Sequence, residues 1–198
     1  MSEPNPGTKI SFDALCAPYL NQWGPYQMTV EPVTATAIRR FCEVAEDGNP
    51  VYWDEDFAKS TRFGRLVAPP QFLWAMTFEP WWTPEFVKDQ HAADLEEHNA
   101  AGDALVGHPI FSLLEEHGYL VSTVAGQEME YLEPFGPGDG RIKTRSKTTA
   151  VTPEKVVRVG RGVFLTTVSE YRTEVGDRLI ALSTNSLLRY RADEDQAQ

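Results

Sequence analysis

Three shortages bound what this chain can be. Cysteine is scarce: Cys16 and Cys42 are the only two in 198 residues. That is too few for a disulfide framework, and a reduced, cytoplasmic protein is expected. Positive charge is scarce as well, with 18 Lys and Arg against 29 Asp and Glu and a net charge of −11. Such a balance argues against nucleic acid, whose binding rests on neutralised phosphates. Long apolar runs are missing, since none approaches the roughly 18 residues that a membrane helix needs. Met1–Pro6 has neither the basic segment nor the apolar segment of a secretion signal.

Several chemistries are also without support. His91, His98, His108 and His117 have no zinc-ligand spacing and no cysteine nearby, so no metal is expected. Gly160-Arg161-Gly162 is too short and too strand-like for a phosphate loop, and no Gly-x-Ser-x-Gly elbow occurs. What remains is an ordinary globular composition, 41% hydrophobic and 24% charged, in a chain long enough to bury one core.

Along the chain, residues 1–22 read as a leader with a short helix from Phe12 to Tyr19, followed by a strand from Tyr26 to Val30. Thr34 opens a helix in which Ile38, Phe41, Cys42 and Ala45 form an i, i+3, i+4, i+7 stripe. Gly48-Asn49-Pro50 ends it, because the residue before proline avoids helical geometry. Asp54-Glu55-Asp56 starts another helical turn, with carboxylates suited to a helix N-terminus. After Pro69-Pro70 comes the segment Gln71–Phe78, apolar nearly all round and therefore expected to be a buried helix. Residues 79–118 read as an insertion, with Thr83-Pro84-Glu85 opening an acidic helix that runs to Asn99. From Val121 the apolar period becomes two. Gln127 to Leu132, Arg141 to Thr149, Val156 to Thr173 and Arg178 to Tyr190 read as strands, the third bent near Gly160 or Gly162. Pro137-Gly138-Asp139-Gly140 and Val175-Gly176-Asp177 supply turns, and residues 192–198 form a polar tail. One early strand, a buried helix and a run of strands make an α+β pattern.

Two blocks carry more information than the rest. Asp47-Gly48-Asn49-Pro50-Val51-Tyr52, continuing through Trp53-Asp54-Glu55-Asp56-Phe57-Ala58, is one. Phe63-Gly64-Arg65-Leu66-Val67-Ala68-Pro69-Pro70-Gln71-Phe72-Leu73 is the other. Together they resemble the MaoC-like hydratases and dehydratases, in the branch called FAS1-like dehydratase N-terminal domains. Gln127–Tyr131, Pro134 and Pro137-Gly138-Asp139 also resemble that family's second and third strands. The resemblance implies a single hot-dog fold over residues 23–191, a curved antiparallel sheet around a long buried helix, with 79–118 inserted.

It also implies water addition to a 2-enoyl thioester, or its reversal on an (R)-3-hydroxyacyl thioester, with coenzyme A or acyl carrier protein as carrier and no cofactor. In that chemistry an Asp and a His share one water, because general acid–base work needs groups that change protonation near neutral pH. A preceding Asn holds the loop, and a backbone N–H at the start of the buried helix stabilises the developing oxyanion. Asp47 and Asn49 match the first two positions. Tyr52 stands where the His belongs, and Pro70, followed by Gln71, stands where a Gly should donate its N–H. Tyrosine with an ordinary pKa near 10 is a poor base, and proline has no N–H. The plain reading of Asp47 and Asn49 is that they cap a turn.

A hydratase built from two hot-dog modules, one of which has lost its catalytic pair, accounts for both departures. The implied partner is a smaller MaoC-like subunit with intact Asp and His, in a heterodimer or heterotetramer whose sheets join edge to edge. A homodimer working through Asp47 and Tyr52 and a non-catalytic acyl-thioester binding protein are the other readings. Trp74, Phe78, Trp81, Trp82 and Phe86 are candidates for an acyl pocket, with ordinary packing as the alternative. Arg141, Lys143, Arg145 and Lys147 alternate along one strand and share a face. A solvated edge strand is the default explanation, and contact with the carrier's phosphates is the functional one.

Overall fold

The computed structural model describes residues 11–78, 82–99 and 109–191. Its frame is one antiparallel sheet of β1 (Gln27–Met28), β2 (Val121–Tyr131), β3 (Ile142–Val151), β4 (Lys155–Val157), β5 (Gly160–Thr173) and β6 (Leu179–Arg191). The strand order is β1-β3-β5-β6-β2, with β4 folded back on β5. Strands β5 and β6 form the middle, pairing from Arg161 opposite Arg191 to Arg172 opposite Leu179. Val156 to Thr173 is therefore a hairpin and not one bent strand. The chain reverses at Arg158-Val159, and Gly160 at φ 128° begins β5. At that φ a side chain would be strained, which is why glycine marks the corner.

Two apolar cores sit on this sheet. The larger packs α2 (Ala35–Ala45) and α4 (Phe72–Thr77) against β3, β5 and β6, through Ile38, Cys42, Phe72, Leu73, Ile142 and Ile180. Thr34 caps α2 by accepting the Ala37 N–H at 3.1 Å. The helix stops when Glu46 turns left-handed at φ 52°, four residues before Pro50. Ile38, Phe41 and Cys42 carry its inward stripe, whereas Ala45 is exposed. The smaller core joins α1 (Phe12–Cys16) to α6 (Pro109–Glu116), with Tyr119, Val151, Val163 and Leu165 from the sheet side. Residues 12–20 and the end of the residue 79–118 segment thus share a buried cluster, although neither has enough apolar residues for a core alone. Cys16 and Cys42 lie in different cores as free, buried thiols.

The central helix differs from expectation. Within the described residues α4 is six residues long, and it is buried on one side only. Phe72 and Leu73 are inside, but Ala75 and Phe78 are exposed. The entry to α4 is pinned from below. Arg65 grips the buried Asp139 with two hydrogen bonds of 3.0 and 2.7 Å, and the Ala68 N–H donates to Phe135 O at 2.8 Å. Gly136 is required there, because a Cβ would lie 2.6 Å from Leu66 O.

Candidate functional site

The Asp47–Trp53 turn follows directly from the left-handed end of α2. Its polar groups are engaged with one another. Asp47 Oδ1 accepts the Asn49 N–H at 3.1 Å, Asn49 Oδ1 accepts the Val51 N–H at 3.3 Å, and the Trp53 indole donates to Asp47 O at 2.7 Å. Asn49 thereby caps the 3-10 turn Pro50–Tyr52, and Asp54 caps α3 (Glu55–Ser60) by accepting from Asp56 and Phe57. Tyr52 is half-buried against the cluster that contains Phe72, so the turn and the start of α4 share one core. Burial pushes the Tyr52 phenol up, and the neighbouring Asp47 and Cys42 push it further, against a hydrogen bond from Asn49 that works the other way. The Tyr52 phenol therefore holds its proton more firmly at neutral pH than an ordinary tyrosine does.

At the start of α4, the Phe72 N–H donates to Pro69 O at 2.9 Å and the Leu73 N–H to Pro70 O at 3.2 Å. Both amides are spent inside the turn. Pro70 is half-buried and has no N–H to offer. Gln71 is exposed, with its side chain turned to solvent rather than to a core.

Beside this turn lies a cavity of about 940 Å³ between α4, β1, β3 and α5 (Glu85–Asn99). Met28 and Ile142 line it from the sheet, Phe72 and Met76 from α4, and His91 and Leu95 from α5. Of the described aromatic candidates, Phe78 alone lines it. Trp74 is half-buried and packs edge-on to Phe78 at 5.3 Å. Trp82 and Phe86 are 73% and 72% exposed, so they do not build a pocket in this chain. Trp81 lies outside the described residues.

The wall that sequence reasoning missed is α5. Lys88, His91, Ala92 and Leu95 stand at i, i+3, i+4 and i+7 and all line the cavity. The spacing was legible, but two of the four residues are polar, and a search for apolar stripes passes over them.

The basic strand is neither a solvated edge nor an open phosphate site. Arg141 pairs with Asp94 and Glu174, both at 2.7 Å. Lys143 is buried and meets Asp177 at 2.6 Å. Arg145 meets the buried Glu170 at 2.7 Å while stacked over Trp23 and Tyr26. Lys147 lies over the Trp23 ring at 4.5 Å. The default fails because residues 21–33 run along the outer side of β3 and cover it. Asn21, Gly24, Thr29 and Val33 donate their N–H groups to Thr148, Ser146, Ile142 and Gly140 respectively.

Comparison with known proteins identifies the family. The family described as FAS1-like, dehydratase domain region matches residues 24–182. The chain belongs to it. As a FAS1-like member of the MaoC-like hot-dog superfamily, it is 31% identical over 161 residues to a probable enoyl-CoA hydratase alpha subunit of Thermomonospora curvata. That match covers 81% of this chain and 46% of the relative. The chain spans less than half the length of the curated relatives it matches.

Among solved structures, a chain of the ChsH1-ChsH2 complex from Mycobacterium tuberculosis superposes with a TM-score of 0.70 at 20% identity, over 91% of this chain and 96% of that one. The MaoC-like dehydratase from Rhodospirillum rubrum gives 0.50 at 19% identity, over 86% and 93%. Both share the hot-dog fold. Among the described residues no helix is long and apolar enough to cross a membrane.

Proposed function

We propose that this FAS1-like chain is the acyl-binding half of an (R)-specific 2-enoyl-thioester hydratase or 3-hydroxyacyl-thioester dehydratase. The water step belongs to a second hot-dog module with intact Asp and His. The observation that carries this reading is the closed Asp47–Trp53 turn. Its carboxylate and amide hold their own backbone, and its phenol is shifted away from neutrality. A phenol above its ordinary value is ionised in roughly one molecule in a thousand or fewer at pH 7, so Tyr52 cannot replace an imidazole as proton carrier. Pro70 adds a second deficit, since no N–H is present at the position where the family stabilises its oxyanion. The Thermomonospora relative, a probable hydratase alpha subunit, supports the activity class.

A partner is supported by β2. Among the described residues this strand pairs with β6 alone, and ten of its eleven residues are exposed, Met129 being the half-buried exception. An open strand of this length is a template for pairing with another sheet. The similar Mycobacterium chain belongs to a two-protein complex. With Arg141, Lys143 and Arg145 already ion-paired internally and Lys147 set over Trp23, contact with the phosphates of coenzyme A or a carrier protein is assigned to the partner.

The test is hydration of crotonyl-coenzyme A by the purified chain, alone and with a candidate MaoC-like partner. Negligible turnover alone and at least a hundredfold gain with the partner are expected. Rapid turnover by the chain alone, abolished by Asp47→Asn, would overturn the proposal in favour of a self-sufficient enzyme. Thioester binding without turnover in every combination would reduce the chain to a binding protein.

A further inference from the structure

One wall of the cavity has an unmatched polar group. Three other polar side chains around it are already engaged. Thr77 Oγ1 donates to Leu73 O at 3.0 Å, Thr29 Oγ1 donates to Glu31 O at 2.8 Å, and Lys88 Nζ donates to Glu85 at 3.3 Å. His91 is not. Its Nδ1 is closed off from solvent without a hydrogen-bond partner among the described residues, while the ring as a whole lines the cavity.

The tautomer follows from this asymmetry. A neutral imidazole carries its proton on one nitrogen only. With the proton on Nδ1, a buried N–H donor would be orphaned. With the proton on Nε2, only a lone pair at Nδ1 is left unmatched, and orphaned donors are the rarer and costlier defect. The ring therefore presents Nε2–H as a donor. Met28, Phe72, Met76, Leu95 and Ile142 make part of the lining apolar, beside polar residues such as Gln27, Glu31 and Thr144, and a donor next to the apolar part carries weight in recognition.

We infer that His91 is a specificity-determining residue that selects acyl groups bearing an acceptor oxygen, such as a ketone, remote from the thioester, over plain hydrocarbon chains of equal length. This rests on the cavity being the acyl site. A hydrocarbon filling the same space strips water from Nε2–H and returns no bond, which costs of the order of a tenfold loss in affinity. A ketone at the right carbon restores the bond.

Because contact with the carrier falls to the proposed partner, the test uses the chain together with that partner. Calorimetric titrations compare decanoyl-coenzyme A with oxodecanoyl-coenzyme A isomers that carry the ketone at successive carbons. One isomer is expected to bind about tenfold tighter than the parent. His91→Phe should cut that preference to less than twofold. His91→Gln, which keeps a donor, should preserve part of it. If no isomer exceeds the parent, or if the preference survives in His91→Phe, His91 does not select the ligand. Ala92→Trp, which fills the cavity, separates this failure from that of the pocket. Thioester binding that Ala92→Trp blocks, without any ketone preference, overturns the His91 inference alone. Absent binding, or binding indifferent to Ala92→Trp, overturns the acyl-pocket reading and this inference with it.

Discussion

The two margins of the sheet are finished in opposite ways. Along β3, residues 21–33 satisfy the outer carbonyls one after another, and Asn99 of α5 brackets Tyr26 by accepting its N–H at 2.8 Å and donating to its carbonyl at 3.0 Å. Over this seam Glu170 collects Tyr26, Arg145 and Arg172 within 3.2 Å. Along β2 no such cover exists among the described residues. Val121 and Val124 are exposed there, with Leu120 just before the strand and Leu132 just after it. A margin whose carbonyls at Gly140, Ile142, Ser146 and Thr148 are each matched by residues 21–33 is covered by the chain itself. A margin left open and partly apolar suits the proposed partner, because isolated edges of this kind favour pairing with another sheet. On that proposal the asymmetry separates a stability side from an assembly side.

Breaking the closed margin should have the largest effect. Glu170→Ala removes a buried carboxylate from between two arginines and is expected to cost about 3 kcal/mol or more, read as a lower denaturant midpoint. The same group gives the margin a pH dependence. Burial raises the Glu170 carboxyl, but the Tyr26 hydroxyl and the Arg145 and Arg172 charges outweigh it, leaving the folded value below the ordinary 4.5. Its contribution is therefore complete above pH 4.5 and fades as pH falls through the folded value. In Glu170→Gln the stability profile should flatten in that acid window. An unchanged profile would deny Glu170 its place as the hub of the seam.

The open margin should respond in the reverse sense. Val121→Lys combined with Val124→Lys puts two gatekeeper charges on β2, and the isolated chain should change by no more than about 0.5 kcal/mol. Assembly with the proposed partner, followed by light scattering, should be lost. A stable, fully assembled double variant would remove β2 from the interface.

The smallest effect is expected inside the motif turn. Tyr52→Phe deletes the phenol without altering the ring, and turnover of the assembled enzyme should change less than twofold. A drop of orders of magnitude would instead make Tyr52 a participant in the proton transfer.

Much of this was readable before any coordinates. The capping residues Thr34, Asn49 and Asp54 sit where short polar side chains satisfy the first amides of a helix, and such preferences act within a few residues. The motif blocks at 47–58 and 63–73 identified the family for the same reason, since their residues are contiguous. The β4–β5 hairpin was not readable, because Arg158-Val159 lacks the usual turn residues and Gly160 reads equally well as a bulge. The pairing of Arg141 with Asp94 and of Arg145 with Glu170 spans 47 and 25 residues, separations at which no local pattern links the partners. Trp82 and Phe86 illustrate the opposite error, where large apolar residues near the helix suggested a pocket that α5 builds from a different face.

By itself, the sequence determined the fold family, the caps, and the presence of a phenol at 52 and of proline at 70, because each depends on the identity of one residue or on a short run. Only the tertiary structure decided which charges are spent, which sheet margin is open, and that His91 reaches the cavity with an unmatched nitrogen. Those facts depend on segments distant in sequence meeting across the sheet, and burial, unlike propensity, exists only once they have met.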